Sequence, residues 1–336
     1  MLSTDRTIVS PLSPAAARMR DYGAAVGALT VIVAGPGKPH EVYLSPQVHI
    51  IYPGGRNKPF NALKMLVRAR SVSADVVSAQ DPFWVGLIGI LVGKPIQIQV
   101  HTDTWGMIGS ILAWLTLPRA TRIRVVSERV RARVSRVTTR PIDMLPIFVD
   151  PEHFFKSAAQ PREFGLHPRI LVVARLSPEK RIDRVIRVLT RISDAHVYIV
   201  GTGALKAELV SLASSLGVGE RTHFLGWRDD VRPYYQYAHV FVNASRYEGY
   251  GMALLEAALS GCPIVTTDVG IARELPKELC AITSDDTVAI TSTVRAQLQL
   301  DQATRAQGAR AARVLVGNHD AYVRAYEHAL RRVLEG

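Results

Sequence analysis

The chain has only two cysteines, Cys262 and Cys280, in 336 residues. They form no metal-ligand spacing, and their scarcity suits a reducing compartment in which both are ordinary buried thiols. Acidic residues are also in short supply, with 29 Asp and Glu against 41 Lys and Arg and a formal net charge of +12. Such an excess points to a polyanionic partner: nucleic acid, an anionic membrane surface or a phosphorylated substrate. No recognised nucleic-acid module is present, so that partner is disfavoured. No apolar run reaches the roughly 18 residues of a membrane span. The longest, Trp84 to Gly93 and Met107 to Pro118, have the length of buried core helices. At the start, Asp5 and Arg6 precede prolines with no apolar stretch, so no secretory signal is read. Short-period repeats and low-complexity tracts are missing too. The expectation is a cytoplasmic protein, soluble or peripheral on the inner face of the cell membrane.

Hydrophobic residues make up 48% and charged residues 21%, which suits a globular chain long enough for two domains. Apolar runs of strand length alternate with helix-period segments. The first series is Ala28 to Ala34, Val48 to Tyr52, Asp75 to Ala79, Pro95 to His101, Arg122 to Ser127 and Met144 to Phe148. The second is Arg169 to Ala174, His196 to Gly201, His223 to Leu225, His239 to Ala244 and Pro263 to Thr267. Helical patterns such as Ala62 to Ser71, Ile182 to Ile192 and Ala204 to Leu216 lie between them. Near-continuous Val/Ile/Leu strands joined by helices predict parallel sheets with crossover helices, an α/β doubly wound architecture. Four prolines punctuate a joint at Val149 to His167. The domains are therefore set at 1–149 and 150–318. A final helix in 319–336, with an apolar stripe at Tyr322, Tyr326, Leu330 and Val333, packs back on the first domain.

Four strand ends carry candidate chemistry, because ligands in open α/β sheets bind outside the carboxyl ends of strands. After His239 to Ala244 comes Arg246-Tyr247-Glu248-Gly249-Tyr250-Gly251, a Gly-rich turn feeding a helix from about Gly251 to Leu259. Such a turn offers backbone N–H groups and the positive helix end to an anion. Glu248 sits in the turn and Glu256 about 7 Å further along the helix at ~1.5 Å per residue, so the two carboxylates suit separate parts of one long ligand. The alternative makes Glu248 a helix-start charge and Glu256 a solvated helix residue, which the apolar neighbours of Glu256 oppose. After Arg169 to Ala174, Arg175 and Lys180 flank a second loop, either as a diphosphate site or as surface cations. Gly201-Thr202-Gly203 at the end of His196 to Gly201 has Lys206 where a dinucleotide fingerprint wants a small residue, so it reads as a tight turn near a ligand or loop. In domain one, His101-Thr102-Asp103 follows a strand and can reach into a cleft or sit as a satisfied histidine. Asp81 is similarly placed.

Together these pieces resemble the glycosyltransferase family 4 group of retaining GT-B enzymes, most closely over Ile170 to Leu275. The resemblance rests on Ala174-Arg175-Leu176 with Lys180, Val200-Gly201-Thr202-Gly203 and Phe224-Leu225-Gly226-Trp227. It continues through Ser245 to Gly251, Leu255-Glu256-Ala257, Gly261-Cys262-Pro263 and Thr267-Asp268-Val269-Gly270. Two glutamates flank seven residues in that family, as Glu248 and Glu256 do here. Val76 to Pro82, His101-Thr102-Asp103 and Leu145 to Asp150 match the first domain more loosely.

The resemblance implies two Rossmann-like domains facing a cleft. It assigns the donor diphosphate to Arg175, Lys180 and the backbone at Gly249, Tyr250 and Gly251, and the ribose hydroxyls to Glu256. Glu248 holds the transferred sugar, His101 reaches it from the opposite domain, and Gly226 and Trp227 neighbour the base. Gly201 and Gly203 turn near the donor. No metal and no cofactor are implied, since cations and a helix N-terminus neutralise the leaving diphosphate. The implied reaction moves a hexosyl group from a nucleoside diphosphate sugar to a glycan or lipid-linked acceptor with retention. The acceptor attacks on the leaving-group face, and a diphosphate oxygen takes its proton. The other readings are a nucleotide-sugar epimerase of the same fold and a nucleotide-sugar-binding protein with an incomplete acceptor domain.

In one respect the chain departs from the pattern. Met1 to Thr4 leaves only a stub where a full strand and Gly-rich loop are expected, so a truncated acceptor side is anticipated. Finally, Arg122, Arg124, Arg129, Arg131, Arg133 and Arg136 lie between Arg119 and Arg140 with Glu128 the only acid, just after the apolar Met107 to Leu115. That composition predicts a membrane-facing basic and apolar surface, against a core helix beside solvated arginines.

Overall fold

The computed structural model describes residues 1–335. In chain order the first elements are β1 (Leu2–Ser3), α1 (Pro14–Val26), β2 (Leu29–Val33), β3 (His40–Ser45), β4 (Val48–Tyr52), α2 (Lys58–Ser71), β5 (Val77–Ala79), α3 (Trp84–Val92), β6 (Ile96–Val100), α4 (Gly106–Thr116), β7 (Arg122–Val125), α5 (Glu128–Val134) and β8 (Ile142–Met144). There follow α6 (Pro151–Phe155), β9 (Arg169–Val173), α7 (Ile182–Val188), β10 (His196–Val200), α8 (Lys206–Ser215), β11 (Thr222–Gly226), α9 (Arg232–Tyr237), β12 (Val240–Asn243), α10 (Met252–Leu259), β13 (Ile264–Thr266), β14 (Cys280–Ile282), α11 (Thr287–Gln297), α12 (Gln302–Val316) and α13 (His319–Arg331). The chain divides into one unit of residues 1–146 with 319–336 and a second of residues 147–318.

The first unit is built on an eight-stranded sheet ordered β3-β4-β2-β1-β5-β6-β7-β8. All neighbours are parallel except β3, which pairs antiparallel with β4 at the edge. The strand order reverses between β1 and β5, the switch point of a doubly wound sheet. The stub at the start takes the place beside that switch: Leu2 pairs with both Ile32 and Ala79. Two residues suffice because the flanking strands supply the ladder partners on either side.

The antiparallel β3 was not read from the sequence. None of its residues is buried, and its three apolar side chains, Val42 to Leu44, are too few to form a buried-strand run. The expected strand Met144 to Phe148 is corrected to Ile142–Met144. Pro146 has no N–H for a ladder, and the carbonyls of Leu145 and Pro146 instead accept from Arg124.

Arg122 and Arg124 also correct the expectation of a continuous basic face. Both lie on β7. Arg122 donates to both carboxylate oxygens of Asp143 at 2.9 and 3.0 Å. Arg124 is buried and donates to Gln99 and to the Tyr322 hydroxyl. Tyr322 and Tyr326 belong to α13, whose Tyr326 stacks on Tyr22 of α1 at 3.7 Å between centroids. Arg332 adds a second cation to Asp143. The final helix is therefore part of the first unit's core.

The second unit has a six-stranded, all-parallel sheet ordered β11-β10-β9-β12-β13-β14. Counted within the unit this is the Rossmann order, with its switch between β9 and β12. Its strands are Val/Ile-rich because helices cover both faces, and their side chains form one continuous core. The proline-rich joint contains α6, started by Pro151 and capped by the Asp150 carboxylate. Cys262 is buried and Cys280 half-buried. Both thiols are free, and burial pushes each up to about 12, which keeps them as inert thiols.

Candidate functional site

The switch between β9 and β12 places two loops side by side. The loop after β9 carries Arg175 and Lys180, and the loop after β12 carries Glu248. Backbone bonds weld them: the Arg246 N–H donates to the Glu179 carbonyl at 2.8 Å. Lys180 donates through Nζ to both Glu248 oxygens at 2.7 Å. The pair is screened from solvent, at 17% and 15% side-chain exposure. Ser245 Oγ donates to Glu248 Oε1 at 2.8 Å, and Asn243 Nδ2 to the same oxygen at 3.2 Å. Glu248 is thus a fixed carboxylate with three donors on it. Arg175 is exposed: its carbonyl accepts from the Ser177 N–H at 2.9 Å, while its guanidinium has only the long-range pull of Glu179 to hold it. Its guanidinium is available to an anion.

Asn243 and Ser245 were missed at the sequence level. Both are buried polar residues at the end of an apolar strand. That pattern is their only sequence signal: a polar group there needs a partner, and Glu248 is it.

Beyond Glu248 the chain turns through Gly249 and Tyr250 to Gly251, which has φ 92° and precedes α10. Only glycine enters a helix comfortably from that left-handed geometry. The first N–H groups of α10 have no side-chain cap. The Leu254 N–H is tied back to the Gly251 carbonyl at 2.9 Å, which leaves those of Met252 and Ala253 as donors on a positive helix end. Gly270, from the loop after β13, lies against this turn. The Ile271 N–H donates to the Tyr250 carbonyl at 3.0 Å, and a Cβ on Gly270 would overlap that oxygen.

Glu256 sits one and a half turns into α10. It is nearly buried, and burial raises its carboxyl above the usual range, against the Tyr235 hydroxyl that donates to Oε2 at 3.1 Å. The solvated alternative for Glu256 does not hold. Removing the hydroxyl in Tyr235→Phe should cost about 1 kcal/mol of stability at neutral pH, as for a lost buried hydrogen bond. Because the folded carboxyl is raised, lowering the pH protonates Glu256 and weakens its demand for a donor. The penalty should therefore shrink in acid. Urea titrations of both proteins at pH 7 and near pH 4 check this; an equal penalty at both would mean that the ionised carboxylate does not need Tyr235.

Gly201 and Gly203 are explained by packing between loops. A Cβ at Gly201 would overlap the Ala174 carbonyl, and one at Gly203 the Leu176 backbone. The Leu176 N–H donates to the Thr202 carbonyl at 2.9 Å. The Gly-x-Gly turn supports the Arg175 loop from behind. Gly226 follows from it, since the Gly201 N–H donates to the Gly226 carbonyl at 2.7 Å. Trp227 is exposed, with Nε1 donating to Asp229 at 3.0 Å. It lies at the end of β11, the sheet's edge strand, and no bond joins it to Lys180 or Glu248.

In the first unit, His101 follows β6. Its Nε2 is buried with no hydrogen-bond partner in the described residues. Burial, then the charges of Arg124 and Arg18, push the imidazole down to about 3, so it is neutral at physiological pH. A neutral imidazole with one open nitrogen can make one hydrogen bond to a ligand hydroxyl. Asp81 is different. Burial raises its carboxyl, and it already accepts from the Phe83 N–H at 2.8 Å, a structural turn.

Among the described residues, no cluster of three or more His, Cys, Asp or Glu could hold a metal, and no helix is long and apolar enough to cross a membrane.

Known proteins resemble this chain in part of its sequence and in its fold. One relative is a lipopolysaccharide core biosynthesis glycosyltransferase, LpsE, from Rhizobium meliloti. It is 33% identical over 100 residues, which is 30% of this chain and 29% of the relative. The chain thus spans under a third of that protein's length in the match. Among solved structures, sucrose-phosphate synthase from Thermosynechococcus elongatus superposes with a TM-score of 0.82 at 17% identity, covering 99% of this chain and 98% of that one. Anabaena HepE, solved in complex with UDP and glucose, gives 0.76 at 17% identity over 100% and 99%. The fold is accordingly α/β with two Rossmann-like domains of the GT-B type, and residues 167–299, which contain Arg175, Lys180, Glu248 and Glu256, match the family Glycosyl transferases group 1.

Proposed function

We propose that the protein is a retaining glycosyltransferase that moves a hexosyl group from a nucleoside diphosphate sugar to a glycan or lipid-linked acceptor at the cytoplasmic side. The observation that carries this reading is Glu248. It is a carboxylate held by Lys180, Ser245 and Asn243 at the switch point, directly before an uncapped helix N-terminus. Carboxylates recognise sugar hydroxyls, while N–H groups and cations recognise a diphosphate. The site juxtaposes both kinds of group. The match of residues 167–299 to a glycosyltransferase family supports the class of reaction.

In this reading Arg175, Lys180 and the N–H groups from Gly249 to Gly251 bind the diphosphate. The incoming phosphates draw Lys180 off Glu248, and the freed carboxylate takes up sugar hydroxyls. Glu256, already desolvated, accepts from the ribose, and Trp227 with Gly226 lies to the base side. His101 serves the transferred sugar through its open nitrogen. The C1–oxygen bond to the diphosphate breaks as the acceptor oxygen attacks from the same face, and the acceptor proton passes to a diphosphate oxygen. The charge that develops on the leaving group is met by Arg175, Lys180 and the α10 N-terminus.

The test is calorimetry with uridine, guanosine and adenosine diphosphates, followed by a transfer assay on lipid-linked and soluble acceptors. Micromolar binding of one nucleotide and an α-linked product from an α-linked donor are expected. Activity should survive EDTA, because protein cations do the neutralising. An epimerised sugar nucleotide, an inverted product or complete loss of activity with EDTA would each overturn part of this reading.

A further inference from the structure

We propose that the first unit docks on an anionic lipid surface through the outward face of α4, with α3 beside it. α4 packs inward through Leu112, Ala113 and Thr116, whose hydroxyl is bonded to the Pro82 carbonyl. Its outward face is also apolar. Met107, Ile108, Ile111 and Trp114 are 79%, 64%, 62% and 63% exposed. The spacing of these residues puts them on one helical stripe. No charged residue occurs from Thr104 to Pro118. On the neighbouring α3, Trp84 and Leu91 are exposed as well. A core needs only one apolar face of a helix, so the second face is explained by an apolar partner.

The charges around this face identify the partner. At the N-terminal end of α4 the Arg133 guanidinium lies 4.7 Å from the Trp105 ring centroid. At the C-terminal end Arg119 bonds the Leu115 carbonyl and Arg140 the Pro118 carbonyl. Arg70 bonds the Leu91 carbonyl at the end of α3. Cations therefore ring the apolar stripe, even after Arg122 and Arg124 are removed from the count as strand residues with internal partners. A second copy of this chain would bring like charges together across the contact. An anionic bilayer offers apolar depth and negative headgroups at once. α4 is too short to span, at about 16 Å for ~1.5 Å per residue, and so lies in the interface plane. The surface belongs to helices of the first unit and involves no residue assigned to the donor.

The experiment is co-sedimentation of the full chain with phosphatidylcholine vesicles and with vesicles that also contain phosphatidylglycerol, across a salt series. Binding should require the anionic lipid, fall steeply with salt and give a blue shift in tryptophan emission. Ile111→Ser with Trp114→Ser should weaken partitioning at least tenfold. Because both side chains are exposed, the melting temperature should hold. Arg119→Gln with Arg140→Gln should weaken binding to anionic vesicles and flatten the salt dependence. Nucleotide affinity by calorimetry should be the same in every variant, which separates this surface from the donor site. No binding to anionic vesicles at low salt would overturn the proposal. So would binding indifferent to Ile111 and Trp114, or a dimer in light scattering that the same double variant dissociates.

Discussion

Glu248→Ala should lower turnover by about 100-fold or more, close to 2.7 kcal/mol at ~1.36 kcal/mol per tenfold, while nucleoside diphosphate affinity changes by only a few fold. The reason lies in what holds the carboxylate. Lys180, Ser245 and Asn243 all point donors at it. A side chain fixed in this way can present an oxygen to a sugar hydroxyl without reorganising as the transition state forms. On the proposed assignment the diphosphate takes the side of the cations and the helix end, so its binding should depend little on Glu248 and tighten once Lys180 is no longer shared. Folding is the competing effect. Removing one partner of a screened ion pair strands the other, at a cost of about 1–3 kcal/mol for a pair that keeps some exposure. Glu248→Gln controls for this, because its amide oxygen can still accept from Ser245. Steady-state kinetics, product nucleotide calorimetry and thermal melts on both variants decide the matter. Turnover close to the parent in a folded Glu248→Ala protein would remove Glu248 from the chemistry.

Lys180→Ala should have the next largest effect, weakening nucleoside diphosphate binding by about 3 kcal/mol, with Arg175→Ala nearer ~1–2 kcal/mol. The inequality comes from the structure. Arg175 is exposed, and its one hydrogen bond is made by the backbone carbonyl, which alanine keeps, so its loss removes mainly an attraction. Lys180 neutralises Glu248 at 2.7 Å, and without it a bare carboxylate faces the incoming phosphates. Like charges in a partly screened site repel, and that adds to the lost contact. Lys180→Ala with Glu248→Ala should therefore bind the nucleotide more tightly than Lys180→Ala alone. The free nucleoside, which lacks phosphates, should be nearly indifferent to all three variants. Calorimetry with nucleoside and diphosphate forms measures each case. Parallel losses for the two ligands would show that the cations do not read phosphate.

Much of the architecture was legible along the chain. Val/Ile-rich runs at Val48–Tyr52, Arg169–Val173 and His196–Val200 are strands because only a sheet covered on both faces buries such continuous apolar stretches. The turn-rich segments after them marked the strand ends, where a doubly wound sheet puts its ligands. Gly251 was readable as a helix entrance because a glycine beside Tyr250 and before an apolar helix has few other uses. What the sequence itself determined is therefore the alternation of elements, the doubly wound class and the residues presented at the carboxyl edge.

The tertiary structure decided which of those residues meet. Lys180 and Glu248 are 68 positions apart and touch because the sheet order reverses between β9 and β12, a choice no local pattern records. Tyr235 reaches Glu256 from another helix for the same reason. Arg122 and Arg124 look like a solvated basic run, yet the strand pairing of β7 turns them toward Asp143 and the tyrosines of α13. Hydropathy likewise described α4 as apolar without saying that half of its surface would be left uncovered. Periodicity reports what a residue prefers, but the neighbours that grant or refuse the preference come from distant segments, and only packing brings them in.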